Sequence, residues 1–128
     1  VTVPGNVRNI GAYAFRGCSA LRSITLAEGV ESIDRYAFFK ATDVRYLSIA
    51  DSVTYIGGMA FYECDSLERI VIPQNVTYIG KDAFSDCRAL SSVSFMALRM
   101  PSFIWRMRRS PKPGLLAGTV LSCPLYPV

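Results

Sequence analysis

Cysteines, carboxylates, arginines and tyrosines are the residues of this chain able to do chemistry. Four cysteines stand among 128 residues, and histidine is absent. Without histidine the usual zinc ligand and every Ser-His or Cys-His pairing are gone. No Cys-x-x-Cys occurs, so neither a zinc knuckle nor a thioredoxin motif is present. Cys87 follows Cys64 by 23 residues and Cys64 follows Cys18 by 46, while Cys123 lies far downstream. Such spacing would bring Cys64 and Cys87 within disulfide reach on adjacent units, but a ladder that keeps side chains parallel makes a bridge awkward, and the plainer reading is a column of small buried thiols. Glu28, Glu31 and Asp34 cluster, but a carboxylate becomes a general acid only where a dry pocket raises its pKa. There is no phosphate-loop G-K-S/T and no G-x-S-x-G. The expectation is a chain without catalytic residues, metal or cofactor, and not an enzyme.

The elements that must carry these residues are set by a period. Val7, Val30, Val53 and Val76 are 23 apart, and so are Ile10, Ile33, Ile56 and Ile79. Ala14-Phe15, Ala37-Phe38, Ala60-Phe61 and Ala83-Phe84 follow in step. Next come Cys18, Ala41, Cys64 and Cys87, then Leu21, Val44, Leu67 and Leu90. Ile24, Leu47, Ile70, Val93 and Leu26, Ile49, Ile72, Phe95 complete eight apolar columns without an insertion. A unit this short cannot bury its own apolar face, whereas stacked units cover one another, so the architecture is a solenoid of four coils. The alternation at Ile24 and Leu26 predicts a short strand, with Arg22, Ser23 and Thr25 outward. Val7–Ile10 predicts a second extended piece. Gly11, Gly57 and Gly80, with Asp34 as substitute, are expected to make a turn, and Ala12–Cys18 one or two helical or 3₁₀ turns. The four phenylalanines are expected to stack ring on ring in the core.

Parallel strands at this period lay their outward residues in a lattice. One column holds Arg22, Arg45, Glu68 and Ser91, a second Ser23, Tyr46, Arg69 and Ser92, and a third Thr25, Ser48, Val71 and Ser94. Arg22, Arg45 and Arg69 beside Tyr46 offer cationic forks and an aromatic plate, suited to acidic protein loops or glycans. Arg22, Arg45, Tyr46, Glu68 and Arg69 are therefore the candidate ligand-binding residues, against the plainer reading of a solvated sheet face. Tyr13 with Tyr36, and Tyr55 with Tyr78, form two further columns that either shield backbone or make a second ridge. Asn75-Val76-Thr77 fits a glycosylation acceptor, but the repeat itself generates it.

The pattern resembles the BspA-like leucine-rich repeats, including those of Treponema surface proteins. The match is best at Ile72-Pro73-Gln74-Asn75-Val76-Thr77-Tyr78-Ile79-Gly80-Lys81-Asp82-Ala83-Phe84-Ser85-Asp86-Cys87-Arg88-Ala89-Leu90. It is weakest in the second unit, which has Ala27 for Pro, Asp34 for Gly and Ala41 for Cys. The resemblance covers residues 1–95. It implies an α/β solenoid, a right-handed leucine-rich-repeat coil with short parallel strands. It also implies a module of a larger cell-surface or secreted protein, engaged in adhesion and in binding proteins or glycans, host extracellular matrix among them. A structural spacer array with no ligand of its own is the alternative. The family motif carries no catalytic residue.

Charge divides the chain. Residues 1–95 hold 9 basic and 10 acidic side chains, whereas residues 96–128 hold 5 basic and none acidic. The overall +4 therefore reports the tail, and nucleic acid is not the expected partner. The array begins mid-unit at Val1 without a polar cap, so it is expected to be a fragment of a longer array. The basic, Pro-rich tail 96–128 reads as an irregular cap that lays Phe103, Ile104 and Trp105 over the last coil, as a disordered linker, or as an out-of-frame segment. Its Trp105-Arg106-Met107-Arg108-Arg109 run with Lys112 is a weak match to nucleic-acid or membrane contact. No apolar stretch of about 18 residues is present to form a spanning helix.

Overall fold

The computed structural model describes residues 1–96 and the backbone of residues 120–122. Most of the tail expectations, and Cys123, lie outside the described residues. Four coils stack with equivalent residues above one another. Each coil contributes one longer strand and one short one. The longer strands are β1 (Thr2–Val3), β3 (Ser23–Leu26), β5 (Tyr46–Ser48), β7 (Arg69–Ile72) and β9 (Ser92–Phe95). The short ones are β2 (Asn9–Ile10), β4 (Ser32–Ile33), β6 (Tyr55–Ile56) and β8 (Tyr78–Ile79). All pair in parallel at the sequence period, for example Ile10 beside Ile33, Ile33 beside Ile56 and Ile56 beside Ile79. A last strand, β10 (Val120–Ser122), lies parallel to β9 with Val120 beside Ser92.

The two strand columns differ. The short strands form one continuous sheet, β2-β4-β6-β8, through all four coils. The longer strands form two sheets, β1-β3-β5 and β7-β9-β10, with no pairing between β5 and β7. Ala27 N–H donates to Val3 C=O at 3.0 Å, and Met96 N–H to Ile72 C=O at 2.9 Å. In the third coil the same register position is Pro73, which has no N–H to give to Ile49.

The core is the expected set of columns. Phe38, Phe61 and Phe84 are fully buried, and the Phe15–Phe38–Phe61–Phe84 rings stack at centroid distances of 5.0, 5.2 and 5.3 Å, nearly parallel. Val30, Ile33, Val53 and Ile56 are wholly inaccessible. Phe15 and Leu21 are half-buried and Ala14 and Cys18 exposed, because in the first coil no described coil covers their other side. The expected column of buried thiols is therefore Cys64 and Cys87 only.

The helical component of the expected α/β solenoid is not found: no α- or 3₁₀-helix occurs among the described residues. Ala12–Cys18 and its equivalents form tight turns, with Ala14 N–H donating to Gly11 C=O and Arg16 N–H to Tyr13 C=O. Intervening N–H groups instead reach across coils: Phe15 to Ala37 C=O at 2.7 Å, Phe38 to Ala60 and Phe61 to Ala83, each at 2.8 Å. A helix would send these donors back along its own turn. The chain reverses at two left-handed positions per coil, at Tyr13, Tyr36, Met59 and Asp82, and at Gly17, Lys40, Glu63 and Asp86. Seven of these eight are not glycine, although each costs an L-residue about 1–2 kcal/mol. The cross-coil hydrogen bonds that flank them offset that cost.

The periodic glycines stand at the expected turn, with Ala60 N–H donating to Gly57 C=O and Ala83 N–H to Gly80 C=O at 3.3 Å each, but left-handed backbone is not what requires them. Gly57 and Gly80 do not take positive φ. A Cβ on Gly57 would fall on the backbone nitrogen of Arg35, and one on Gly80 on that of Gly58. These positions are glycine so that successive coils can approach closely. Gly57 N–H then bonds Ile33 C=O at 2.7 Å, and Gly80 N–H bonds Ile56 C=O at 2.8 Å.

Candidate binding face

The longer strands alternate outward and inward as their sequences require. In β3 and β7 the pattern is exposed, buried, exposed, buried, which sends Ser23 and Thr25, then Arg69 and Val71, to the surface. Arg22, Arg45, Glu68 and Arg69 are exposed, and Tyr46 is exposed to 73%. The five candidate residues thus share the face formed by the longer strands. Tyr46 pairs back to Ser23, and Arg69 pairs forward to Ser92. Tyr46 and Arg69 themselves face each other across the unpaired β5/β7 boundary.

Among the described residues, no ion pair engages the cations of this face. The described ion pairs, Lys40–Glu63 at 3.6 Å and Arg88–Asp65 at 3.8 Å, involve turn residues and none of the five. Around the arginines the lattice is small and neutral, with Ser23, Thr25, Ser48, Ser91, Ser92 and Ser94. Glu68 is its one carboxylate.

Two features escaped the sequence reading. The first is the interruption of the ladder, with its consequence for burial: Leu47 and Ile49 are only half-buried, although Ile24, Leu26, Ile70, Ile72, Val93 and Phe95 in the same columns are 0–2% exposed. The sequence carries no signal for it, since proline is the motif's own residue at position 73 and Ala27 is a departure from it. The second is the Phe39–Tyr62 column, which widens the expected Tyr13–Tyr36 column into a ridge on the turn side. Tyr13 and Tyr36 stack at 5.0 Å as their spacing predicts, and Phe39 stacks on Tyr62 at 5.4 Å. Tyr36 meets Phe39 edge-on at 5.5 Å, joining the two columns. Arg16 lies over Tyr13 and Phe39, Arg35 over Tyr36 and Lys40 over Phe39, all within 5.1–5.7 Å of the ring centres. The 23-residue step from Phe39 to Tyr62 was visible in the sequence. Because its cations already sit on its rings, this ridge satisfies itself. Tyr55 and Tyr78 stack at 4.9 Å on the short-strand sheet.

Two titratable groups are shifted by their packing. The Tyr62 hydroxyl is hydrogen-bonded to the Asp86 carboxylate, which with burial and the nearby charges of Asp86, Glu63 and Asp82 pushes its pKa up from 10.0 to about 12. Cys64 and Cys87 donate their thiols to Phe38 C=O at 3.4 Å and Phe61 C=O at 3.0 Å. The contact with Cys87 and then burial push the Cys64 thiol far above its ordinary value. No cluster of three or more His, Cys, Asp or Glu side chains with metal-binding geometry occurs among the described residues. No helix among them is long and apolar enough to cross a membrane. Asn75 is exposed, and its Nδ2 donates to Asp51 C=O at 2.8 Å, so the amide of the Asn-Val-Thr triplet serves as a link between coils.

Comparison with known proteins sets this geometry in context. The family model described as the BspA type leucine rich repeat region matches residues 1–100 in six copies. The crystal structure of the pneumococcal vaccine antigen PcpA superposes with a TM-score of 0.72 at 28% identity, over 74% of this chain and 24% of that one. A leucine-rich repeat protein of T. pallidum gives 0.56 at 26% identity, over 73% of this chain and 57% of that one. A leucine rich cell surface protein of Faecalibacterium prausnitzii shares the fold, at 0.63 and 24% identity, over 96% of this chain and 34% of that one. The chain thus spans about a quarter of the pneumococcal antigen and a third of the Faecalibacterium protein. No curated protein matches it.

Proposed function

Because this chain belongs to the BspA type leucine-rich repeat family, we propose that it is a non-catalytic protein-binding module. In this reading it is part of a larger cell-surface or secreted protein and contributes to adhesion. The observation that carries the reading is the longer-strand face, where Arg22, Arg45 and Arg69 are exposed beside Tyr46 and take part in none of the described ion pairs. Arginine and tyrosine are enriched where interfaces derive their energy, since each brings broad contact area and directional hydrogen bonds. The surface location is supported by the likeness to a pneumococcal vaccine antigen. A right-handed coil belongs to the same reading, as the hand that parallel strand crossovers adopt.

The test is capture of extracellular-matrix proteins by the whole chain, repeated with Arg45→Glu/Arg69→Glu. Capture by the native chain and its loss in the variant are expected. Capture that survives both reversals removes the strand face as the site. A spacer role is the second reading, favoured by the continuous β2-β4-β6-β8 sheet and the unbroken phenylalanine stack, which make a stiff rod. Capture of nothing by the native chain decides for the spacer.

A further inference from the structure

We propose that the opening between β5 and β7 is a docking point for an acidic segment of a partner protein carrying one apolar anchor side chain. This rests on the protein-binding reading and specifies its partner. The opening is bounded. Upstream, Thr42 C=O accepts Ser66 N–H at 3.1 Å; downstream, Asp51 C=O accepts the Asn75 amide at 2.8 Å. Between these links the second and third coils have no strand pairing. Thr25 N–H donates to Val1 C=O at 2.8 Å, whereas its register equivalent, Val71, has no paired β5 neighbour. β5 and β7 remain adjacent, so a partner lies over this boundary on the outer face rather than inserting as a strand.

The side chains around the opening fit the same occupant. Leu47 and Ile49 are half-buried here alone in their columns, with Tyr46 (73% exposed) and Val71 (49% exposed) on the outer face beside them. That makes a local apolar spot in a lattice otherwise built of serine, threonine and charge. Arg45 and Arg69 flank it from the two sides of the boundary, with Arg22 one coil further and Glu68 the single opposing charge. An aliphatic or aromatic anchor between carboxylates matches both the apolar spot and the charge. A sulfated glycan would satisfy the arginines but leave Leu47, Ile49 and Val71 unmatched.

The experiment is amide chemical-shift mapping on the whole chain with synthetic peptide probes. The probes are a leucine between Asp and Glu residues, the same leucine between lysines, and alanine in the acidic frame; a sulfated oligosaccharide is titrated alongside. The acidic leucine peptide is expected to give saturable shifts at Arg45–Ile49 and Arg69–Val71, with none from the lysine peptide. Alanine for leucine is expected to weaken binding roughly tenfold, from the lost anchor area. Arg45→Glu/Arg69→Glu, and separately Tyr46→Ala/Val71→Ser, are each expected to weaken it about tenfold; both pairs are exposed, so the fold persists. Absence of saturable shifts, or preference for the oligosaccharide at these residues, overturns the proposal. Peptide shifts confined to the Tyr36–Phe39 ridge or to Tyr55 and Tyr78 also overturn it, yet leave protein binding by the chain intact.

Discussion

Single side chains in this molecule are governed by their place in a column. Cys18, Cys64 and Cys87 are one column in sequence, yet the first is exposed and the other two are buried. Only a thiolate reacts with alkylating reagents, and burial together with the Cys64–Cys87 contact keeps Cys64 protonated. Peptide mapping after brief native alkylation should therefore find Cys18 modified, and Cys64 and Cys87 modified only after unfolding; rapid native labelling of Cys64 would contradict the buried column. Tyr62 gives a pH-dependent counterpart. Its folded pKa of about 12 lies above the ordinary 10.0, so its contribution to stability is complete below pH 10 and disappears as pH rises toward 12. Asp86→Asn removes the charge and leaves only a weaker, neutral amide acceptor, and ultraviolet difference titration should then show one tyrosine ionising closer to 10. A titration curve unchanged by this substitution would exclude the Tyr62–Asp86 bond.

Elements show how much of the fold can be read from periodicity and where that reading stops. The apolar columns, both strand positions and the outward set of Arg22, Arg45, Tyr46, Glu68 and Arg69 were legible, because parallel stacking turns a 23-residue period directly into spatial neighbours. The turn segment was not. Ala, Phe and Cys at helix-compatible spacing suggest a helical turn, but the donors of Phe15, Phe38 and Phe61 are drawn to the adjacent coil. The glycines were expected to permit a turn, and the turn is there, but close approach of Gly57 to Arg35 and of Gly80 to Gly58 is what requires glycine. A column of identical spacing also hides its exceptions: Leu47 and Ile49 look like core in the sequence, and only the structure shows them half-buried. At this scale the phenylalanine column makes the sharpest prediction. Phe61, stacked on both sides, should cost about 3–5 kcal/mol when replaced by alanine. Phe15, half-buried and stacked on one ring only, should cost visibly less. Thermal or urea unfolding of the two variants checks the order, and equal costs would contradict a graded stack.

At the scale of the whole molecule, neighbour-to-neighbour contacts replace a central core. Each coil is held to the next by the buried columns, by the β2-β4-β6-β8 sheet and by turn-side bonds running in the opposite donor direction. Strand-side donors point toward the preceding coil, as from Gly57 to Ile33, and turn-side donors toward the following one, as from Phe38 to Ala60. Stability in such a stack is close to a sum over coil interfaces, and the interface between the second and third coils is the one lacking part of its ladder. That same interface holds the exposed Tyr46, Arg45, Arg69 and Val71, so the place where the stack is least self-satisfied is also where its surface is best equipped to bind. Residue-resolved amide hydrogen exchange of the native chain tests this most directly. The account predicts slow exchange at Phe38, Phe61, Gly57 and Gly80, whose N–H groups cross between coils, and much faster exchange at Val71 than at Thr25. Rapid exchange at Phe38 and Phe61, or protection of Val71 equal to that of Thr25, would contradict it.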